Sequence, residues 1–421
     1  MSPAQHIPDQ IPVGALACQK DTFLKTATTK CIGCSEKPDK KGFYEVLLHD
    51  TILFPEGGGQ PNDTGFIDDI KVHNVQRRGL QHIHFTKEPV AVDKEVTLKV
   101  DWDRRFDHVQ QHTGQHLLSA VLEQDPYKFE TVGWNLGDKI SYVELAPNNG
   151  SLPTAEQISQ AEDAINTLIF SGVPIITHAE NNAADDNRPD SLPSDYRGGV
   201  IRTIEIEGLD RNPCCGTHAN NLAQLQSIKF LHTEKIRGNN MRLYFVVGRR
   251  VLDLLDSSYT TCKSLTGLLS CGPESFVPQI TRLQTLQRTQ AKTIKRLMAE
   301  LAGHAVTTLV TEVKENRYAM VHREDADMDY LVLLANGAKE QKLLEENAGA
   351  VIILAGGDPS AGGPIIVLGS DDDSVKKATQ ILTQHLDGLK GGGKGRWQGK
   401  CKTWKGWDSA QAAIKELYTS Q

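Results

Sequence analysis

The sequence predicts an α+β multidomain protein. A barrel-like, β-rich N-terminal domain comes first, then an α+β domain with candidate metal ligands, a helical arm and a small α/β C-terminal domain. Three observations predict this. Residues 1–100 hold short segments rich in β-branched residues. Helical periodicity sets in near Arg104 and carries a histidine pair at four-residue spacing. Beyond Gly248 a heptad seam gives way to apolar runs separated by helix-like stretches. The resulting domains are 1–100, 101–248, 249–304 and 305–421.

In the first domain, Tyr44 to Phe54 mixes apolar and β-branched residues ahead of a glycine-rich turn, and reads as a strand. His82 to Phe85 and Val96 to Val100 read as further strands. The second domain opens with a helix that Asp125-Pro126 ends. A second helix runs from Thr154, its candidate N-cap, to about Phe170, with Ile158, Ala161, Ile165 and Leu168 on one stripe. Glu180 to Gly199 is polar with two prolines and reads as a mobile surface loop. Strands are expected at Val200–Asp210, Ile228–Ile236 and Met241–Val247.

In the arm, Ile280, Leu283, Ile294, Leu297 and Leu301 share one heptad seam, interrupted by Gln287 and Gln290. After His304 the apolar runs AVTTLV, YLVLL, VIILAG and PIIVLG alternate with helix-like segments, which predicts a small α/β sandwich.

The 421 residues are 39% hydrophobic and 24% charged, an ordinary globular balance. No apolar run is long enough to span a bilayer. The N-terminal stretch lacks the basic start and apolar core of a secretory signal. A net charge of -7 argues against a general nucleic-acid coat, although a local basic patch still binds phosphate. Eight cysteines are too sparse for a disulfide scaffold, so a reducing, cytoplasmic compartment is expected.

The strongest chemical signal is His112-Thr113-Gly114-Gln115-His116. Two histidines one helical turn apart place both rings on one face, where they can chelate a metal. Far downstream, Cys214-Cys215-Gly216-Thr217-His218 repeats the four-residue spacing, here expected on a turn that opens a helix. Three imidazoles and one thiolate make a good zinc set, one ion per chain. His108, one turn earlier, is open to a role as ligand, as partner of a ligand or as a solvated residue. A complete set without it favours a non-ligand role. Cys31 and Cys34 have zinc-knuckle or redox spacing but no partner pair nearby, and read as turn thiols.

HTGQHLL followed by CCGTH closely resembles the paired zinc motifs of the alanyl-tRNA synthetase editing domain and its free-standing relatives. Gly57-Gly58-Gly59-Gln60-Pro61-Asn62-Asp63-Thr64-Gly65 resembles that family's upstream loop, in the right order. The match spans roughly residues 20–250, and Cys215 stands where the family usually has glycine. The resemblance implies a zinc editing domain whose ligands are His112, His116, Cys214 and His218. It implies that Gly57, Gly58, Gly59 and Gln60 hold the 3′ end of a tRNA, with Gln60 donating to the ester carbonyl and Asp63 capping the turn. Thr51 would read the hydroxyl of an attached serine, because a site built for a hydroxyl rejects alanine. The implied reaction is zinc-dependent hydrolysis of seryl-tRNA(Ala), and also of glycyl-tRNA(Ala). Four protein ligands make a closed site, so either one is displaced or zinc mainly positions substrate. His218 is the candidate for an alternative catalytic duty.

Lys390 to Trp407 carries six basic residues, among them Lys394, Arg396 and Lys400, and no acid. Trp397, Trp404 and Trp407 interleave with them. Cations neutralise phosphates and indoles stack on bases, although the tryptophans of such a loop also serve as packing. The segment resembles the glycine-rich stretch of the synthetase's C-terminal tRNA-binding domain, which implies tRNA(Ala) as the partner. Two other readings remain: a non-catalytic zinc-containing tRNA-binding or regulatory protein, and an editor for another pairing such as serine on threonine tRNA. A complete synthetase is disfavoured, because nothing upstream has room for an aminoacylation core. Oligomeric state is left open.

Overall fold

A computed structural model of the chain describes residues 9–181, 195, 196 and 199–419. Most of the loop expected at 180–199 therefore lies outside the described residues. The chain forms two compact units, 1–264 and 265–421, and the arm expected at 249–304 straddles that division.

Unit 1 begins with a short helix α1 (Ala17–Lys20) and a closed barrel. Its strands are β1 (Thr26–Cys34), β2 (Tyr44–Leu48), β3 (Gly65–Ile67), β4 (Ile70–Arg78), β5 (Gln81–Thr86) and β6 (Glu95–Val100). The order around the barrel is β1-β2-β5-β4-β3-β6. Strict alternation drives closure: Val96, Leu98 and Val100 point inward while Glu95, Thr97 and Lys99 face solvent. They meet Val46, Leu48, Ile67 and Val72 in one core. The expected strand Tyr44 to Phe54 stops at Leu48; Ile52, Leu53 and Phe54 are buried outside the ladder. Cys31 and Cys34 lie on β1, not in a turn.

Two histidines on β5, His82 and His84, are fully buried. Burial pushes His84 down to about 4 and holds His82 well below the usual histidine range. The folded value lies below that of the unfolded chain, which therefore takes up the proton first. Stability that is complete above pH ~6.5 is lost as pH falls toward 4. His84 alone is expected to remove about 2 kcal/mol by pH 5. Melting temperatures from pH 7.5 to 5 check this: His84→Asn should lose less over that range than the wild type does.

The barrel leads into α2 (Trp102–Glu123), followed by β7 (Thr131–Leu136), β8 (Ser141–Leu145), α3 (Ala155–Ser171), β9 (Ile175–Asn181), β10 (Val200–Ile206), β11 (Asp210–Pro213), β12 (Ile228–Lys235), β13 (Met241–Val247) and α4 (Arg249–Leu269). One sheet runs β11-β10-β9 and another β12-β13-β8-β7. Thr154 caps α3 as its sequence predicts, accepting from Gln157 N at 3.2 Å while Gln157 Oε1 accepts from Thr154 N at 3.0 Å. Helix α2 is buried along most of its length, with Val109, Leu117, Leu118 and Leu122 in the core shared with both sheets.

Unit 2 takes in the last residues of α4 and all of α5 (Phe276–Asn316), then β14 (Tyr318–Arg323), α6 (Met328–Glu340), α7 (Leu343–Glu346), β15 (Val351–Gly356), β16 (Gly363–Gly369), α8 (Asp372–His385), β17 (Lys390–Gly392), β18 (Arg396–Cys401) and α9 (Trp407–Thr419). Its sheet runs β14-β15-β16-β18-β17. VIILAG and PIIVLG are the central strands. Ile352 and Leu354 face α5 and α6, whereas Ile353 and Ala355 face α8 and α9, so both faces are covered and the run is apolar throughout. The other two apolar runs are helical. AVTTLV lies within α5, where Ala302, Val306, Leu309 and Val313 are buried at helical spacing, and YLVLL lies within α6. Short apolar runs do not distinguish a buried strand from a buried helix by periodicity. The heptad residues fall on α5 and are exposed, Ile294 by 57%.

Candidate metal centre

His112 and His116 project from the middle of α2, one turn apart. Cys214 and His218 come from the segment after β11. That segment is irregular, and the helix expected after it is a single turn of 3-10 helix at Leu222–Leu225. One ligand atom from each of the four residues lies within 4.8 Å of the others. Cys214 Sγ is 3.2 Å from His218 Nε2 and 3.5 Å from His112 Nε2. A tetrahedral zinc with one thiolate and one imidazole edge needs about 3.6 Å between such donors.

Hydrogen bonds hold the rings in place. Gln60 Oε1 accepts from Thr217 N at 2.9 Å, which fixes the orientation of the amide. The same oxygen is 2.9 Å from His112 Nδ1, so that nitrogen carries the proton and Nε2 presents its lone pair. Gln60 Nε2 donates to Thr217 Oγ1 at 2.8 Å. Thr113 Oγ1 accepts from Ala219 N and lies 3.4 Å from His218 Nδ1. Gly216 has no room for a side chain: a Cβ there would lie 2.3 Å from the His112 ring.

Arg202 secures the loop from behind. It is buried and donates to Gly216 O and to Gln19 O, both at 2.7 Å, while Gln19 Nε2 donates to Cys215 O at 2.7 Å. No carboxylate pairs with Arg202 among the described residues. Its guanidinium is spent on backbone carbonyls.

The donor set fits zinc. Burial pushes His116 down to about 4 and His112 and His218 well below the usual range, so all three imidazoles are neutral. Burial pushes the Cys214 thiol up to about 12. A thiolate becomes stable there only with a cation beside it, which is what a bound divalent metal provides.

Next to the cluster is a cavity of about 680 Å³, lined among others by Gly57, Gly58, Gly59, His116, Trp134 and Cys214. Gly58 and Gly59 have φ of 56° and 73°, and their N–H groups find no acceptor among the described residues. At Gly59 any side chain would also strike the Trp134 indole, at 2.2 Å. Cys215 lines the cavity without joining the ligand group.

Several expected roles change. Gln60 is fully buried with its donor given to Thr217, so it holds His112 and does not face the cavity. Thr51 is 1% exposed and does not line the cavity either. Its Oγ1 accepts from Leu53 N at 2.9 Å and lies 2.9 Å from His84 Nε2. Neutral His84 directs Nδ1 to Val46 O, so Nε2 takes the threonine proton. Asp63 does accept from Phe54 N, and it also pairs with Arg105 of α2. His108 is buried on α2 outside the ligand group. In unit 2, Lys394 and Lys400 are exposed and Arg396 is half-buried. Trp404 is 4% exposed and donates to Gly356 O, so it serves the core and is not free to stack on a base.

Arg202, Gln19, Thr113, Thr217 and Trp134 escaped the sequence reading. Arg202 and Gln19 are 183 residues apart, and no local pattern pairs them. Gln60→Ala is expected to weaken metal binding by about 10–100-fold with little change in fold. Competition with a chromogenic chelator checks this.

Fold and cluster together define an α+β protein whose three histidines and one cysteine could hold a metal beside a cavity. Residues 201–244 match the family model described as "Threonyl and Alanyl tRNA synthetase second additional domain". Alanyl-tRNA editing protein Aarsd1 of Mus musculus is 35% identical over 97% of this chain and 99% of its own length. The putative alanyl-tRNA editing protein alaX of Saccharomyces cerevisiae is 35% identical over 93% of each. Alanyl-tRNA editing protein AlaX-L of Pyrococcus horikoshii is 29% identical over 73% of this chain. The chain belongs to the alanyl-tRNA editing protein family.

Proposed function

We propose that the chain is a trans-editing hydrolase, an aminoacyl-tRNA deacylase that removes serine, and glycine with it, from mischarged tRNA(Ala). It works in the cytoplasm with one zinc per chain held by His112, His116, Cys214 and His218. The observation that carries this reading is the four-donor cluster beside a cavity lined by two of its ligands and by Gly57, Gly58 and Gly59. No helix among the described residues is long and apolar enough to cross a membrane.

Zinc, when bound, supplies Lewis-acid polarisation of the ester and brings the pKa of water toward neutrality. The residues of the chain do the rest. Gly58 and Gly59 line the cavity with N–H groups that have no acceptor among the described residues, which leaves them available to an oxygen of the entering 3′ end, the kind of backbone cradle that stabilises developing negative charge. Gln60 keeps the proton on His112 Nδ1. His116 and Cys214 are the ligands that line the cavity, so substrate approaches from their side. His218 faces Thr113 and is 4% exposed, which favours a pure ligand role for it. In unit 2, exposed Lys394 and Lys400 and half-buried Arg396 offer phosphate contacts on the β17–β18 hairpin. Selection of serine falls to groups of the cavity wall, because Thr51 is committed to His84.

The test is release of amino acid from seryl-, glycyl- and alanyl-tRNA(Ala) by the zinc-loaded protein. Serine and glycine should be released and alanine spared. Zinc-loaded protein that binds tRNA(Ala) and releases nothing would replace this reading with a non-catalytic RNA-binding role.

A further inference from the structure

The cavity is lined by three aromatic residues, and they differ in what they offer. Phe54 and Tyr196 are 1% and 3% exposed and belong to the packing around the N-terminal segment. Trp134 is half-buried and keeps indole surface on the cavity. It sits on β7 opposite Val143 of β8, just past a bulge between Thr131 and Gly133. Its six-membered ring covers Gly59, and its centroid lies 5.3 Å from the His112 ring at 36°. One indole therefore touches both the glycine loop and a metal ligand, and contacts on two sides fix its orientation.

We propose that Trp134 is the platform on which the terminal adenine of the substrate stacks, which makes it a positioning residue for the ester. This rests on the deacylase reading above. Every aminoacyl-tRNA carries its ester on the ribose of a terminal adenosine, so the base lies one sugar away from the bond to be cut. An ester at the cluster brings its own adenine to the wall beside His112, where half-buried Trp134 presents indole surface while Phe54 and Tyr196 are packed away. Stacking on a fixed indole needs no hydrogen-bond readout. It orients the sugar, and through it the carbonyl, relative to the glycine N–H groups. The same contact makes Gly59 necessary: a side chain there would displace the platform as well as strain the loop.

The experiment compares 3′-O-seryl-adenosine with a seryl ester of 1-deoxyribose, which lacks the base. Zinc-loaded wild type should prefer the adenosine ester by about 5–150-fold in kcat/KM, the factor one stacked base supplies. Trp134→Leu should collapse that preference, mainly through KM, and Trp134→Phe should retain most of it. Zinc content and melting temperature are recorded for each variant. Equal slowing of both esters in Trp134→Leu would make the indole merely structural and overturn the proposal, as would an unchanged preference. A second measurement does not depend on turnover. Calorimetric binding of the non-hydrolysable 3′-amide analogue of seryl-adenosine should weaken by the same factor in Trp134→Leu. If wild type binds this analogue through Trp134 yet cleaves neither ester, the deacylase reading fails and the nucleobase site stands. If wild type cleaves seryl-tRNA(Ala) but Trp134→Leu binds the analogue as wild type does, the platform fails and the deacylase stands.

Discussion

Cys214→Ala is expected to lose stoichiometric zinc and, with it, deacylation of seryl-tRNA(Ala). A structural zinc site in a small domain binds with about 10–16 kcal/mol; shared over four ligands, that is about 2.5–4 kcal/mol each, or roughly 10²–10³-fold in affinity. Cys214 carries the only charge in the set once metal is bound, so its share sits at the upper end. Removing the thiol also leaves His112 Nε2 and His218 Nε2 without their common neighbour. Cys215→Ala is the control, because its sulfur is outside the ligand group. Metal analysis of both variants after gel filtration decides the assignment. Zinc retained by Cys214→Ala and lost by Cys215→Ala would move the ligand to the neighbouring thiol.

Arg105→Met is expected to destabilise unit 1 by about 3–5 kcal/mol, the usual result of stranding one partner of a buried ion pair. Both side chains are fully buried. Asp63 Oδ2 accepts from Arg105 Nε at 2.9 Å and from Phe54 N at 2.7 Å, and Arg105 also donates to Thr22 O and Ile52 O. The pair ties α2 to the loop that carries Gly57–Gln60. For a unit of this size the melting temperature should fall by roughly 6–20 °C. Arg105→Met with Asp63→Leu should regain part of the loss, since no charge is then left unpaired. A single Arg105→Met variant that melts within a degree or two of wild type would show that the pair does not hold the loop.

What was legible in the sequence follows physical range. His112 and His116 were readable because helical spacing alone puts them on one face, and Cys214 and His218 because their motif is compact. Thr154 announced its helix through a capping box with Gln157, a signal three residues long. Gln60 was visible as a loop residue, but its actual partners His112 and Thr217 lie 52 and 157 residues away. Thr51 looked available until folding set His84 against it, 33 residues on. The runs YLVLL and AVTTLV do not declare themselves helical, because burial in a sheet and burial on a helix against it leave the same short apolar run. The basic C-terminal segment kept its lysines at the surface, yet Trp404 went inside because Gly356 O was there to receive its indole N–H.

The four candidate ligands, if they hold the metal as proposed, also set a schedule for the chain as it is made. His112 and His116 leave the ribosome together, but Cys214 is 98 residues behind His116 in the sequence. At about 5–20 residues per second, that is roughly 5–20 s during which the nascent protein offers two imidazoles and no thiol. Gln60, by contrast, is made before either histidine and waits for both His112 and Thr217. High-affinity capture of metal is therefore postponed until the CCGTH segment has emerged and Arg202 and Gln19 have gripped it. A nascent chain stopped before residue 214 would hold metal only as loosely as an isolated pair of histidines does, so tight metallation reports that synthesis has passed the CCGTH segment and that this segment has closed on α2.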